Sequence, residues 1–235
     1  MAMWEPWTGC HGVSDGCTYC YYYGLHAKRR GTPVTKTEDF DKPLVMKTKS
    51  KYKIESGKEV GMCFTTDFFI EEADQWRGDA WRMMKQRSDL NFLFLTKRID
   101  RFRVALPEDW GDGYDNVKIG CSVENQDLAD YRLPHFLSSP IKHRFISCSP
   151  LLGPIDLRPY LHGIEHVTVG GETGRDAREC NFDWVLDIRE QCMDAGITFW
   201  FKDTGSRFRK DGELHKINPR MQHKAARELG INIEA

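Results

Sequence analysis

Nothing in this 235-residue chain approaches the run of about 18 apolar residues that a membrane-spanning helix requires. Its first residues, MAMWEPWTGCHG, also lack the basic start and apolar core of a secretory leader. The expected location is therefore the cytoplasm, with no membrane partner. A charge excess is missing too: 34 Lys plus Arg face 35 Asp plus Glu, which excludes a protein that binds polyanions over its whole surface. There is no internal repeat, low-complexity tract or Pro/Gly/Ser linker, so a single domain over residues 1–235 is expected. A content of 40% hydrophobic and 29% charged residues excludes intrinsic disorder as the main state.

What is present is regular alternation. From residue 59 onward the apolar runs EVGMCFTT, NFLFLTKR, NVKIGCSV, HRFISCS, EHVTVGG and ITFWFKD are separated by helical patterns. Continuous apolarity over about five to eight residues is how a strand buried on both faces reads. Trp76, Ala80, Met83 and Met84 share one helical face, as do Trp184, Ile188 and Cys192, with Asn181 as N-cap and Gly196 as stop. The pattern predicts parallel strands joined by right-handed crossovers, in an open doubly wound sheet or a full or partial barrel. In both, chemistry gathers at the C-terminal strand ends. Those ends carry Thr65, Thr66 and Asp67; Thr96, Lys97 and Arg98; Ser122 and Glu124; Gly170, Gly171 and Glu172; Lys202 and Asp203. The tail reads as polar chain closed by an amphipathic helix, NPRMQHKAAREL, with Pro219 in its first turn.

Eight cysteines would suit a disulfide scaffold only in a much shorter secreted chain. Cys63, Cys121, Cys148 and Cys192 stand singly in apolar runs and read as small buried hydrophobes, while Cys180 lies in the more polar RDAREC. Cys10, Cys17 and Cys20 differ, being spaced C-x6-C-x2-C. The x2 pair lets two thiolates meet one metal centre across a tight turn, and Gly9, Gly12 and Gly16 free the loop before it. Zinc would need a fourth donor, for which His11 and His26 are the nearby candidates, and no second C-x2-C pair follows. Three cysteines on a cubane leave one iron open to an exogenous ligand, so a 4Fe-4S cluster is the better match.

This N-terminal triple, with Tyr19 directly before the last cysteine and a parallel α/β body behind it, resembles the radical S-adenosylmethionine (radical SAM) superfamily, whose commonest spacing is C-x3-C-x2-C. Over nearly the whole chain, WEPWTGC, SDGCTYCY, TTDFF, FLTKRIDRF, IGCSVENQ, FISCSPLLGPIDL, VTVGGETGRDAR and ITFWFKDTG resemble successive blocks of a phage-associated radical-SAM-like family of uncharacterised function. Two blocks depart from its pattern. An acidic residue commonly precedes the proline where Cys148, Ser149 and Pro150 stand, and Gln and Trp commonly stand at Asp203 and Thr204.

The resemblance implies a partial TIM-like (β/α) barrel, with a cluster loop and first helix at 1–30, a β/α core at 59–203, and a C-terminal tail and helix at 204–235. It implies that Cys10, Cys17 and Cys20 hold three irons of a 4Fe-4S cluster while SAM chelates the fourth. An external one-electron donor such as flavodoxin or ferredoxin would then drive cleavage of SAM to methionine and a 5′-deoxyadenosyl radical, which abstracts a substrate hydrogen. Tyr19 would pack on the adenine, and Asp67 would accept from the SAM ammonium. Ser122 and Glu124 would reach the ribose hydroxyls and the carboxylate end. Gly170 and Gly171 would let backbone approach the adenine, and Glu172 would point into the mouth.

Lys97, Arg98, Arg178 and Lys202 are then cations around that mouth and suit a small anionic or nucleotide-like substrate. Arg98 and Arg178 are the candidate substrate-binding groups, and Lys97, Glu172 and Lys202 the candidate catalytic ones. Cys148 and Cys180 are candidate radical-quenching thiols. Lys42, Lys47, Lys49, Lys51, Lys53 and Lys58 form a local basic run, broken by Glu55 and Glu59, which reads as an ordinary solvated connection or as an anion contact. Nucleic acid is thus allowed as a partner without being favoured. The reading from another class is a non-catalytic iron-sulfur or zinc module that uses residues 42–58 as a basic arm. A cluster-free SAM methyltransferase fits poorly, because the first 60 residues lack its glycine-rich loop after a first strand.

Overall fold

The computed structural model describes residues 1–20, 22 and 33–234. Most of the expected first helix, and His26, lie outside the described residues. All six apolar runs form strands, preceded by a short seventh: β1 (Ala2–Trp4), β2 (Glu59–Met62), β3 (Asn91–Thr96), β4 (Val117–Ser122), β5 (His143–Cys148), β6 (His166–Gly170) and β7 (Thr198–Asp203). They follow one another in chain order in a single parallel sheet, the α/β class with the strands of a partial TIM-like barrel. β1 was not foreseen: it has three residues, of which only Trp4 is buried, and such a strand carries no periodicity to read. β2 ends earlier than its apolar run, because Cys63 turns to φ +57° and leaves the ladder. Helices α1 (Asp74–Gln86), α2 (Gln126–Ser138), α3 (Phe182–Asp194) and α4 (Gln222–Glu228) complete the element list used below. Among the described residues no helix is long and apolar enough to cross a membrane.

Two compact units are distinguished. The first comprises residues 1–11, 33–120 and 135–143 of those described. Its core is aromatic. Phe68 stands 4.4 Å from Phe94, 4.6 Å from Trp81 and 5.4 Å from Trp7, measured between ring centroids, which are favourable tilted or edge-on contacts. α1 buries Ala80, Met83 and Met84, as its period requires, and also Arg77. That guanidinium is tolerated in the core because it donates to the carbonyls of Phe68 (2.9 Å) and Ile70 (2.8 Å) and pairs with Asp74 (2.7 Å).

The second unit comprises residues 12–20, 22, 121–134 and 144–234 of those described. Its core is mainly aliphatic, with Val185, Ile188 and Cys192 of α3 buried on the helix that packs against β7. Asn181 caps α3 by accepting from the Asp183 N–H (3.0 Å), and Gly196 ends it at φ +66°. β7 does not bury continuously as its sequence suggests: Trp200 is 43% exposed between buried Phe199 and Phe201, as the last strand of a sheet allows. The tail also holds more order than expected. Arg207–Lys210 and Glu213–Lys216 form a hairpin, with Cys180–Asn181 parallel beside it. Its turn is Asp211-Gly212, both at positive φ, which matches the twist of the flanking strands.

Candidate functional site

No cysteine forms a disulfide, and burial sorts them as their sequence setting suggests, with Cys180 buried despite its polar neighbours. Cys63, Cys121, Cys148, Cys180 and Cys192 are buried, whereas Cys10, Cys17 and Cys20 are only partly so. Burial pushes the thiols of Cys63 and Cys148 well up, and those of Cys180 and Cys192 up to about 12. These four are protonated packing groups at neutral pH, which answers the open question at Cys180.

In the first unit, the residues around Cys10 are organised by Arg98. Its side chain is 4% exposed. One Nη2 donates to the His11 carbonyl (2.8 Å) and to His11 Nδ1 (3.1 Å), Nη1 lies 3.4 Å from Asp67, and the guanidinium hydrogen-bonds the Cys10 side chain. Burial works against this charge, but Asp67, Cys10 and Glu71 outweigh it and raise the Arg98 pKa. Arg98 was expected as a substrate cation; it is instead a strut between Asp67 and the residues at Cys10.

Asp67 is also engaged within its own chain. Oδ1 accepts from Thr96 Oγ1 (2.8 Å) and the Phe69 N–H (2.9 Å), and Oδ2 accepts from the Lys97 N–H (2.9 Å). These bonds fasten the end of β3 to the loop after β2 and occupy the acceptor positions expected to meet the SAM ammonium. His11 Nε2 lies 3.5 Å from Glu71 and 3.4 Å from Glu72, close enough for three metal ligands. Arginine can only donate, however, so His11 Nδ1 accepts and Nε2 carries the proton. His11 thus lies between Arg98 and the two carboxylates, and it is no fourth metal donor in this arrangement.

In the second unit, the turn Asp15–Cys17 carries one cysteine, and Cys20 follows, its N–H donating to the Cys17 carbonyl (3.3 Å). Glu124, just past the end of β4 and fully buried, accepts from Ser14 Oγ (3.1 Å) and from Arg132 Nη1 (2.9 Å). Gly16 packs directly on this carboxylate: a Cβ there would sit 2.5 Å from Glu124 Oε1, so only glycine fits between Asp15 and Cys17. Glu172, after β6, is 4% exposed and gripped by Arg178 through Nε (3.0 Å), Nη2 (2.6 Å) and the backbone N–H (2.8 Å). The same Nη2 reaches the Asp15 carbonyl (2.8 Å), and the guanidinium lies 5.4 Å from the Tyr19 ring. Two buried carboxylates thus hold residues 14–19, Glu124 directly with Arg132 behind it and Glu172 through Arg178.

The remaining expected residues fall as follows. Ser122 is buried, and its carbonyl accepts from Arg132 (2.8 Å). At Gly171 a Cβ would lie 2.4 Å from the Thr204 carbonyl, and at Gly170 2.9 Å from Ser149 Oγ. The close approach expected for adenine is therefore taken up by the chain itself. Lys202 Nζ donates to Ser149 Oγ (3.0 Å) and pairs with Asp203 (3.1 Å). Arg98, Arg178 and Lys202 are engaged internally, although Lys202 and Arg178 keep 34% and 33% of their side chains exposed. Sequence reading missed Arg132. It had a signal, since Arg132 shares the core-facing period of α2 with Ala129, Leu133 and Phe136.

The family described as Protein of unknown function (DUF5131) matches residues 1–232. No curated protein and no solved structure matches the chain.

Proposed function

The chain belongs to the DUF5131 family, and we propose that it is a radical SAM enzyme in which Cys10, Cys17 and Cys20 hold a 4Fe-4S cluster with one iron open to SAM. The observation that carries this reading is the sorting of thiols: of eight cysteines, the three left accessible are the three of the C-x6-C-x2-C segment. The donor set suits the group in kind, although among the described residues the three sulfurs are not gathered within 4.8 Å of one another. Three thiols without His11 as a fourth donor leave a coordination position open, which a closed structural zinc site does not have.

When bound, the cluster and SAM supply reductive cleavage of the sulfonium by one electron from an external donor, yielding methionine and a 5′-deoxyadenosyl radical that takes a substrate hydrogen. The chain's own share is positional. Arg98 braces the residues at Cys10, and the Glu124–Arg132 and Glu172–Arg178 pairs fix the turn that bears Cys17. Tyr19, 42% exposed, offers an open ring face for the adenine. The substrate is a small anionic or nucleotide-like molecule, met by the exposed third of Lys202 and Arg178, whereas Arg98 is too buried to take part.

The test is anaerobic reconstitution followed by electron paramagnetic resonance of the reduced protein, with and without SAM, and with Cys17→Ala as control. The expected result is a reduced-cluster signal that shifts on adding SAM and is lost in the variant. A silent spectrum with stoichiometric zinc overturns the proposal and leaves a metal-binding module without this chemistry.

A further inference from the structure

Residues 42–58 carry six lysines and one acidic residue, Glu55, in a chain whose net charge is −1, so the rest of the chain is net acidic. Within this segment Met46–Thr48 and Lys51–Tyr52 pair as a two-stranded arm, closed below by the Lys53 N–H donating to the Val45 carbonyl (2.7 Å). Lys42 is spent on Asp39 (2.9 Å). Lys47, Lys49, Lys51, Lys53 and Lys58 are exposed, and among the described residues none of the five is ion-paired. Where the chain is extended, alternate residues lie about 6.5 to 7 Å apart, so these ammonium groups repel one another, and Glu55 and Glu59 are the acidic residues beside them in sequence.

A merely solvated connection needs no fixed shape, yet this arm is held by a dedicated anchor. The fully buried Arg87 donates to the carbonyls of Pro43 and Ile54 (2.8 Å to the latter) and stacks on Tyr52 at 3.9 Å. Behind it, Asp89 receives both Arg87 nitrogens (2.8 and 2.9 Å) and Ser56 Oγ (2.7 Å). The charge is thus presented on a preordered ribbon, at no ordering cost on contact.

We infer that this arm is a contact for the phosphate backbone of duplex DNA. A two-stranded ribbon fits the major groove of B-form DNA, and lysine binds phosphate as a point charge. The arm offers Thr48 and Ser50 but no Arg, Asn or Gln to read base edges, so the contact is indifferent to sequence. A membrane surface is the poorer fit, because the exposed apolar residues of the arm are Val45 and Met46, without the aromatic or leucine side chains that anchor a protein in lipid. The inference does not depend on the cysteine chemistry.

The test is fluorescence anisotropy of the full chain with a labelled DNA duplex of arbitrary sequence, across about 50 to 200 mM salt. Four to five neutralised phosphates give a double-logarithmic salt slope near −4, at about 0.9 per phosphate. The variant K47Q/K49Q/K51Q/K53Q should lower that slope by about 3 to 4 and weaken binding at least tenfold at the lowest salt. Its melting temperature should stay at or above that of the parent chain, because exposed like charges are removed. No duplex binding at the lowest salt, an unchanged slope in the variant, or equally tight binding to phosphatidylserine vesicles overturns the inference.

Discussion

The cysteine turn of residues 14–19 and the lysine arm of residues 42–58 have the same problem. Each is a polar segment with little core of its own, and each is held in shape by an arginine–carboxylate pair. They differ in how deeply that pair lies. At the turn, Glu124 and Arg132 are 0% and 2% exposed, and the carboxylate itself touches Ser14 and Gly16. At the arm the arginine makes the contacts, while Asp89 behind it is 35% exposed. The lesson is that polar residues at strand ends and loop bases are fastenings first. What they fasten, cysteines in one case and lysines in the other, is where function is to be sought.

The largest expected effect lies with the deepest pair. Arg132→Met takes its cationic partner from the buried Glu124, which should cost about 3 to 5 kcal/mol in chemical denaturation. Adding Glu124→Gln should recover much of that loss, because a neutral amide no longer needs a counter-ion. A cost under about 1 kcal/mol for the single variant would erase the distinction between deep and shallow fastening.

An intermediate effect belongs to Arg178, whose partner Glu172 is buried while it is not. Arg178→Ala should cost only about 1 to 2 kcal/mol, since the pair is partly open to solvent. Its clearer consequence is loss of the bond to the Asp15 carbonyl. Alkylation of Cys17 and Cys20 in the metal-free chain should quicken several-fold, while the five buried cysteines stay unreactive. Arg178→Lys should fall between, because a point charge cannot serve Glu172 and Asp15 together. Unchanged thiol rates in Arg178→Ala would show that Glu124 alone holds the turn.

These fastenings mark the limit of what the sequence discloses. The six main strands were legible because each is a continuous apolar run, and Asn181 and Gly196 announced the ends of α3. Accessible and buried cysteines were separable by their neighbours except at Cys180, which is buried despite its polar RDAREC setting. The pairings were not legible, because a carboxylate at a strand end looks the same whether it awaits a ligand or is already satisfied by an arginine far away in sequence. Glu124 and Ser14 are 110 residues apart, and no local pattern joins them. β1 escaped for want of length. The Asp211-Gly212 hairpin escaped although its turn signal was present.

The smallest effect, and the one that probes the arm, is at Asp89. Hydrogen bonds from Arg87, with help from Ser56, lower its carboxyl to about 2. The unfolded chain, near the ordinary value of about 3.9, binds more protons between these two pH values, so stability rises with pH across that window. The contribution is complete above about pH 4 and is lost as pH falls through 2; discounted for an exposed side chain, it amounts to about 1 kcal/mol. Asp89→Asn should therefore be less stable than the parent by about that amount at neutral pH, with the difference closing by about pH 2 in urea titrations. Asparagine still offers one acceptor to Arg87, so the arm should keep its contacts to Pro43 and Ile54 and its duplex affinity should fall less than twofold. A stability gap that persists unchanged to pH 2 would mean that Asp89 acts by shape rather than charge, and the likeness between arm and turn would fail at its central point.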